Sequence, residues 1–192
     1  MSLELILGSM FAGKSSMAIQ KVRRAQSLGW KCCVLTSAID VRYDSSASSI
    51  RTHSTESMPA IGVRTLLEAL YVDTYLQAKL VIIEEGQFFP DLYDVVMRMV
   101  EEDMKEVIVV GLDGDANRKP FGQILDLIPK ADSYMKLTAF CKLCKDGTPG
   151  IFSAKVLAFA DADAEDAEEK QICVGAEDMY MAVCRKHYLE RL

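Results

Sequence analysis

No apolar run in this chain approaches the roughly 20 residues needed to cross a membrane. No secretory leader opens it either, because the apolar stretch Leu3-Glu-Leu-Ile-Leu-Gly8 is too short and lacks a basic flank. Positive charge is scarce: 22 Lys and Arg stand against 28 Asp and Glu, for a net charge of −6. Together with the lack of an aromatic–basic stripe, this argues against a protein that grips nucleic acid. There is no internal repeat. Six cysteines without a leader point to a reducing compartment, hence a cytoplasmic location, where paired cysteines suggest metal before disulfide. What is plentiful is core material. Half of the 192 residues are hydrophobic, enough for one domain with a small appended module and too many for a disordered chain. A core strand starting within three residues of Met1 raises the expectation that the chain is cut from a longer protein.

The pattern alternates strand and helix. Leu3–Leu7 reads as a buried strand, Lys14–Leu28 as a helix stopped by Gly29, and Lys31–Ser37 as a second strand. Residues 38–60 are rich in Ser, Thr and Asp and read mostly as loop. Thr65–Leu76 reads as one helix, Lys79–Ile83 as a strand ending in two carboxylates, and Asp91–Glu102 as a helix with Val95, Val96, Met99 and Val100 on one face. Glu106–Leu112 is a further strand, and Tyr134–Phe140 a last one. Apolar strands that do not alternate, separated by helices, predict a parallel α/β sheet covered on both faces. The acidic run Ala160–Lys170 reads as a solvated, mobile loop.

Three groups of residues carry chemistry. Gly8-Ser9-Met10-Phe11-Ala12-Gly13-Lys14-Ser15 fits G-x-x-x-x-G-K-[ST] between a strand and a helix. Its glycines let backbone N–H groups wrap phosphates, Lys14 adds a charge, and the Ser15 hydroxyl can ligate Mg²⁺. At the end of Leu80-Val-Ile-Ile83, Glu84 is placed to hold Mg²⁺ through water and Glu85 to act as base toward a substrate hydroxyl. Finally, Cys141-x-x-Cys144 and Cys184-x-x-His187, separated by 39 residues, suit one tetrahedral Zn²⁺ with no open position, and hence a structural one. Cys32, Cys33 and Cys173 read as small buried hydrophobes, and His53 as a surface residue.

These groups, in this order, resemble the type II thymidine kinases, the cytosolic and poxviral family. The resemblance runs through Asp40-Val-Arg42-Tyr43, Glu85-Gly-Gln-Phe-Phe-Pro-Asp91, Leu112-Asp-Gly114, Arg118-Lys-Pro-Phe121 and Lys136-Leu-Thr-Ala139. It implies a RecA-like P-loop core with a mostly parallel sheet over residues 1–140, and a zinc-binding lasso domain over 141–192 that closes over the nucleoside. The implied activity is transfer of the ATP γ-phosphate to the 5′-hydroxyl of thymidine. Glu85, Arg42 and Lys14 would be catalytic, and Asp40, Glu84, Gln87 and the loop Gly8–Ser15 would hold Mg·ATP. Met10, Asp40, Phe88, Leu112, Ala116 and Phe121 would surround the nucleoside. The returning strand Gln171–Gly175, with Cys173 at its centre, would meet the thymine edge, and Tyr180 the sugar 3′-hydroxyl. A homotetramer inhibited by thymidine triphosphate is implied as well.

The sequence departs from that family at Glu84, where Asp is usual, at Ser9, where Pro is usual, and at Ala116, where an aromatic is common. The lasso is longer, mostly through Ala160–Lys170. The alternative is a catalytically silent copy that binds nucleotide and serves in assembly or regulation.

Overall fold

The chain's structure, a computed structural model, describes residues 1–38, 49–51, 57–156 and 179–190, with backbone alone for 49–51. In chain order its elements are β1 (Ser2–Gly8), α1 (Lys14–Ser27), β2 (Cys32–Ser37), β3 (Ser49–Arg51), β4 (Ser57–Pro59), β5 (Ile61–Val63), α2 (Leu66–Ala69) and α3 (Asp73–Gln77). Then follow β6 (Leu80–Glu84), α4 (Leu92–Glu101), β7 (Glu106–Gly111), β8 (Ser133–Leu137), β9 (Ala139–Phe140), β10 (Pro149–Gly150), β11 (Phe152–Lys155), β12 (Tyr180–Val183) and α5 (Arg185–Leu189). Six strands form one sheet in the order β5-β2-β6-β7-β1-β8, with every pairing parallel. This is the expected α/β architecture and is consistent with a RecA-like P-loop core. Among the described residues no helix is long and apolar enough to cross a membrane.

The two faces of the sheet are covered by different helices. Leu3, Leu5 and Leu7 of β1 point to the side where Leu92, Val95, Val96 and Met99 of α4 pack, with Ile124 and Leu127 of a 3₁₀ segment beside them. Ile6 points to the opposite side and meets Ala18, Ile19 and Val22 of α1 together with Ile82, Ile108 and Val110. Each such aliphatic side chain contributes about 1.5–3 kcal/mol on full burial, so both faces of the central strands are strongly specified. Glu4 also faces α1, where Lys21 pairs with it at 2.7 Å.

The strands and helices read from the sequence are present, with three corrections. Residues 38–60 are not simply loop: β3 and β4 pair antiparallel, with Ile50 opposite Met58, and β5 just beyond them adds an edge strand to the main sheet beside β2. Three-residue strands are too short to show a period. Thr65–Leu76 is two helices, not one. A continuous helix would carry Asp73 onto the face of Ala69 and Leu70; the break leaves Asp73 exposed and buries Tyr75. Tyr134–Phe140 likewise divides. β8 follows β1 only as far as Leu137 opposite Gly8, where β1 turns away, and Ala139–Phe140 instead pairs with β10. The acidic run 160–170 lies outside the described residues.

β9–β10 and β11–β12 are two antiparallel pairs joined by Lys142 N–H donating to the Ala182 carbonyl at 2.9 Å. They share a small core of Cys141, Ala154, Val183, Cys184 and Tyr188.

One glycine decides how the first strand ends. Gly8 has φ 142°, and a Cβ there would lie 2.2 Å from the Leu137 carbonyl oxygen. Gly8→Ala should therefore push β1 and β8 apart at the mouth of the following loop. We expect a fall in unfolding free energy of more than about 2 kcal/mol by urea denaturation, together with weakened nucleotide binding; a variant as stable as the parent would refute this close approach.

Candidate active site

The site lies at the carboxyl ends of the parallel strands, where the chain leaves β1, β6 and β7. Gly8–Ser15 forms the loop from β1 to α1, with Phe11 at φ 64° and Gly13 at φ 81° closing onto the helix. The first N–H groups of α1 lie at this end of the loop, the arrangement that receives phosphate. Lys14 is partly buried, and its ammonium donates to the Ser9 carbonyl at 2.8 Å. Burial is the larger influence and lowers its pKa; the carboxylates of Glu85, Glu84 and Asp113 act in the opposite direction.

β6 is buried along its whole length and ends in Glu84, which is buried as well. The Ser15 hydroxyl donates to the Glu84 carboxylate, so the two Mg²⁺ ligands read from the sequence are in contact. Hard oxygen donors set against a phosphate loop are the chemistry Mg²⁺ prefers, so these residues fit that ion. Glu85 follows in a left-handed conformation, φ 55° and ψ 43°, which a residue with a side chain adopts at a cost of order 1–3 kcal/mol. The turn throws the Glu85 side chain out of the strand direction. Gln87 holds it there: the Gln87 amide donates to Glu85 at 2.5 Å and accepts from the Leu112 N–H at 3.0 Å. Gln87 is buried, and Gly111 leaves room for it, since a Cβ at 111 would lie 2.3 Å from the Gln87 oxygen.

Of the residues expected around the nucleoside, Phe88, Leu112, Ala116, Phe121 and Tyr180 lie among the described residues, as does Met10 of the loop. Phe88 and Phe121 meet edge to face with ring centroids 5.4 Å apart. Leu112 follows β7, and Ala116 is at the tip of a tight turn closed by Gly114 and Pro120, inside which Asp115 accepts from the N–H groups of Asn117 and Lys119 at 2.8 Å each. The Ala116 carbonyl accepts from the Tyr188 hydroxyl at 2.7 Å, and the Arg118 guanidinium lies 4.3 Å from the centre of the same ring. Tyr180 opens β12 opposite Lys155. Asp40, Arg42, His53 and Gln171–Gly175, Cys173 included, lie outside the described residues.

Cys141, Cys144, Cys184 and His187 converge, all four ligand atoms lying within 4.8 Å of one another. Nδ1 of His187 is 3.4, 3.3 and 3.4 Å from the sulfurs of Cys141, Cys144 and Cys184, and the last two sulfurs are 3.8 Å apart. A tetrahedral centre with metal–sulfur bonds of about 2.3 Å and a metal–nitrogen bond of about 2.0 Å has edges of about 3.8 and 3.5 Å. The residues therefore fit a metal ion. Burial opposes ionisation of Cys141, but N–H groups of Cys184, Cys144 and Leu143 and the His187 ring outweigh it and hold its thiol at about 6. Burial, then the neighbouring sulfurs of Cys141 and Cys184, push Cys144 up to about 11. Sulfurs that crowd one another in this way are relieved by a shared cation.

Not every residue of the quoted strings is chemical. Asp91, at the end of Glu85–Asp91, caps α2 from a distance by accepting from Leu66 N–H at 3.1 Å and Leu67 N–H at 2.9 Å. Reading the sequence missed Ser153 and Tyr188, which tie this site to the cysteine-bearing segment. It also missed the Lys136–Asp113 ion pair at 2.5 Å, beside the phosphate loop. No local pattern marks these contacts, which join positions far apart in the chain.

A profile of the thymidine kinase family matches residues 1–188 of this sequence. The chain belongs to the thymidine kinase family. Variola virus thymidine kinase is 39% identical over 189 residues, covering 98% of this chain and 97% of its own length. For the Vaccinia virus (strain Western Reserve) thymidine kinase the figures are 37% over 188 residues, with 98% and 97% coverage. Thymidine kinase a of Arabidopsis thaliana is 36% identical over 191 residues, covering 98% of this chain and 75% of its own. Lys14, Ser15, Glu84 and Glu85 thus converge in a chain of a kinase family.

Gln87→Met, close in volume, would remove the acceptor of the Leu112 N–H and the hydrogen bond to Glu85. We expect a loss of about 1–3 kcal/mol in stability, read by chemical denaturation; no loss would show that the amide bridge carries no weight.

Proposed function

We propose that this chain transfers the γ-phosphate of ATP to the 5′-hydroxyl of thymidine, with Glu85 as the general base. The observation that carries the reading is the convergence of Lys14, Ser15, Glu84 and Glu85 at the carboxyl ends of β1 and β6, in a chain that belongs to the thymidine kinase family throughout residues 1–188.

The chemistry follows from charge and position. Phosphoryl transfer needs alignment and neutralisation of charge more than covalent help. The amides of Gly8–Ser15 and the Lys14 ammonium receive the β- and γ-phosphates. Ser15 and Glu84 would hold Mg²⁺, which when bound offsets charge on those phosphates. Glu85, fixed by Gln87, takes the proton of the 5′-hydroxyl as its oxygen attacks the γ-phosphorus, whose bond to the β–γ bridging oxygen breaks to release ADP. Arg42 and Asp40 would complete the acceptor side. Met10, Phe88, Leu112 and Phe121 would wall the base, and Ala116, being small, leaves that wall more open than an aromatic would. Residues 141–192 are proposed as the module that closes over the nucleoside, with Gln171, Cys173 and Gly175 at the thymine edge and Tyr180 at the sugar. Zn²⁺ in the Cys141, Cys144, Cys184 and His187 set would staple the ends of that segment without chemistry of its own.

Feedback by thymidine triphosphate, a homotetramer and a cytoplasmic location belong to the same reading. Free thiols kept for metal suit a reducing compartment. No observation favours the silent copy.

The test is formation of thymidine monophosphate from thymidine and Mg·ATP. Glu85→Gln should lower kcat by at least about two orders of magnitude; a change below tenfold removes Glu85 as base. Metal analysis should find about one zinc per chain, lost together with folding of the cysteine-bearing segment in Cys144→Ser. A fully folded, metal-free parent protein would contradict the zinc assignment.

A further inference from the structure

Two hydrogen bonds join the phosphate loop to strands that are remote in sequence. The Ser9 hydroxyl donates to the Gly150 carbonyl at 2.8 Å, 141 residues away, and the Met10 N–H donates to the Ser153 hydroxyl oxygen at 2.9 Å. Ser9 and Ser153 are only 3% and 6% exposed. Ser9 and Met10 are the first two residues after Gly8, just before the loop reverses at Phe11. The Ser9 side chain is therefore spent on β10.

The far side of these bonds is firmly held. A Cβ on Gly150 would lie 3.0 Å from the Phe140 carbonyl oxygen and 3.1 Å from Ala182, so β10 is wedged between β9 and β12. Ser153 is opposite Ala182 in the β11–β12 pair, and Val183 leads directly to Cys184. The phosphate loop thus leans on the same strands that the Cys141–His187 cluster gathers.

We propose that Ser9 and Ser153 are positioning residues that hold the phosphate loop in its nucleotide-binding shape by anchoring it to the β10–β11 segment. The identity of the ligand, ATP, rests on the function proposed above. Loss of either hydroxyl removes one of the two bonds that tie the loop to this segment. The unliganded loop then populates other shapes, and the apparent affinity for nucleotide falls by the fraction that stays competent. The second link from the same segment, Tyr188 to Ala116, leads to the 113–121 turn beside Phe121 and serves as a contrast.

The experiment compares wild type, Ser9→Ala, Ser153→Ala and Tyr188→Phe by calorimetric titration with Mg·ADP and by KM for ATP and for thymidine. Ser9→Ala and Ser153→Ala should each weaken Mg·ADP binding about three- to tenfold and raise KM for ATP more than KM for thymidine. Tyr188→Phe should leave Mg·ADP affinity in place and move the thymidine KM. Two serine variants are used so that one failing to fold leaves the other to decide. A fall in melting temperature with Mg·ADP affinity and both KM values unmoved overturns the proposal, because the bonds would then serve stability alone. A wild type that binds Mg·ADP without phosphorylating thymidine sinks the kinase reading, and the serine titrations then still support or overturn the anchoring by themselves.

Discussion

Burial of β1 on both faces, between β7 and β8, is the constraint from which the site follows. Leu3, Leu5 and Leu7 are locked against the α4 side and Ile6 against α1, so the strand can neither slip nor rotate without exposing several aliphatic side chains. Its last residue is then delivered to one place, against the Leu137 carbonyl, where only glycine fits. The phosphate loop begins there. Because β6 is two strands away in the same parallel sheet, its carboxyl end brings Glu84 to the Ser15 hydroxyl.

Around that frame the reactive groups are held by short polar bridges instead of by bulk. Glu85 adopts a left-handed turn and is steadied by the Gln87 amide, which is itself pinned to the Leu112 N–H. Asp91 caps α2, and the turn bearing Ala116 is closed from within by Asp115 and from outside by Tyr188. Each bridge is worth only about 1 kcal/mol in net stability. Their value is in direction, since the base proposed here would lose its reach to a hydroxyl if displaced by even about 1 Å.

The cysteine-bearing segment has little core of its own, a cluster of five buried residues among those described. Four side chains that could hold a metal converge there, and its strands hydrogen-bond to the phosphate loop. The cluster and the loop are therefore in contact through one segment, although the sequence separates them by more than a hundred residues.

Sequence alone determined what depends on local spacing. The strand–loop–helix around Gly8–Ser15, the apolar face of α4, the carboxylates after β6 and each of the pairs Cys141/Cys144 and Cys184/His187 follow from residues a few positions apart. Tertiary structure alone decided what depends on distant partners. The break in Thr65–Leu76 comes from keeping Asp73 out of the core, and the end of β8 from β1 turning away. β5 forms because β2 offers it an edge. The hydroxyls of Ser9, Ser153 and Tyr188 acquire a role only because chain closure sets them beside backbone groups remote in sequence. A lone serine or tyrosine has no periodicity to announce it; its meaning is conferred by the group it meets.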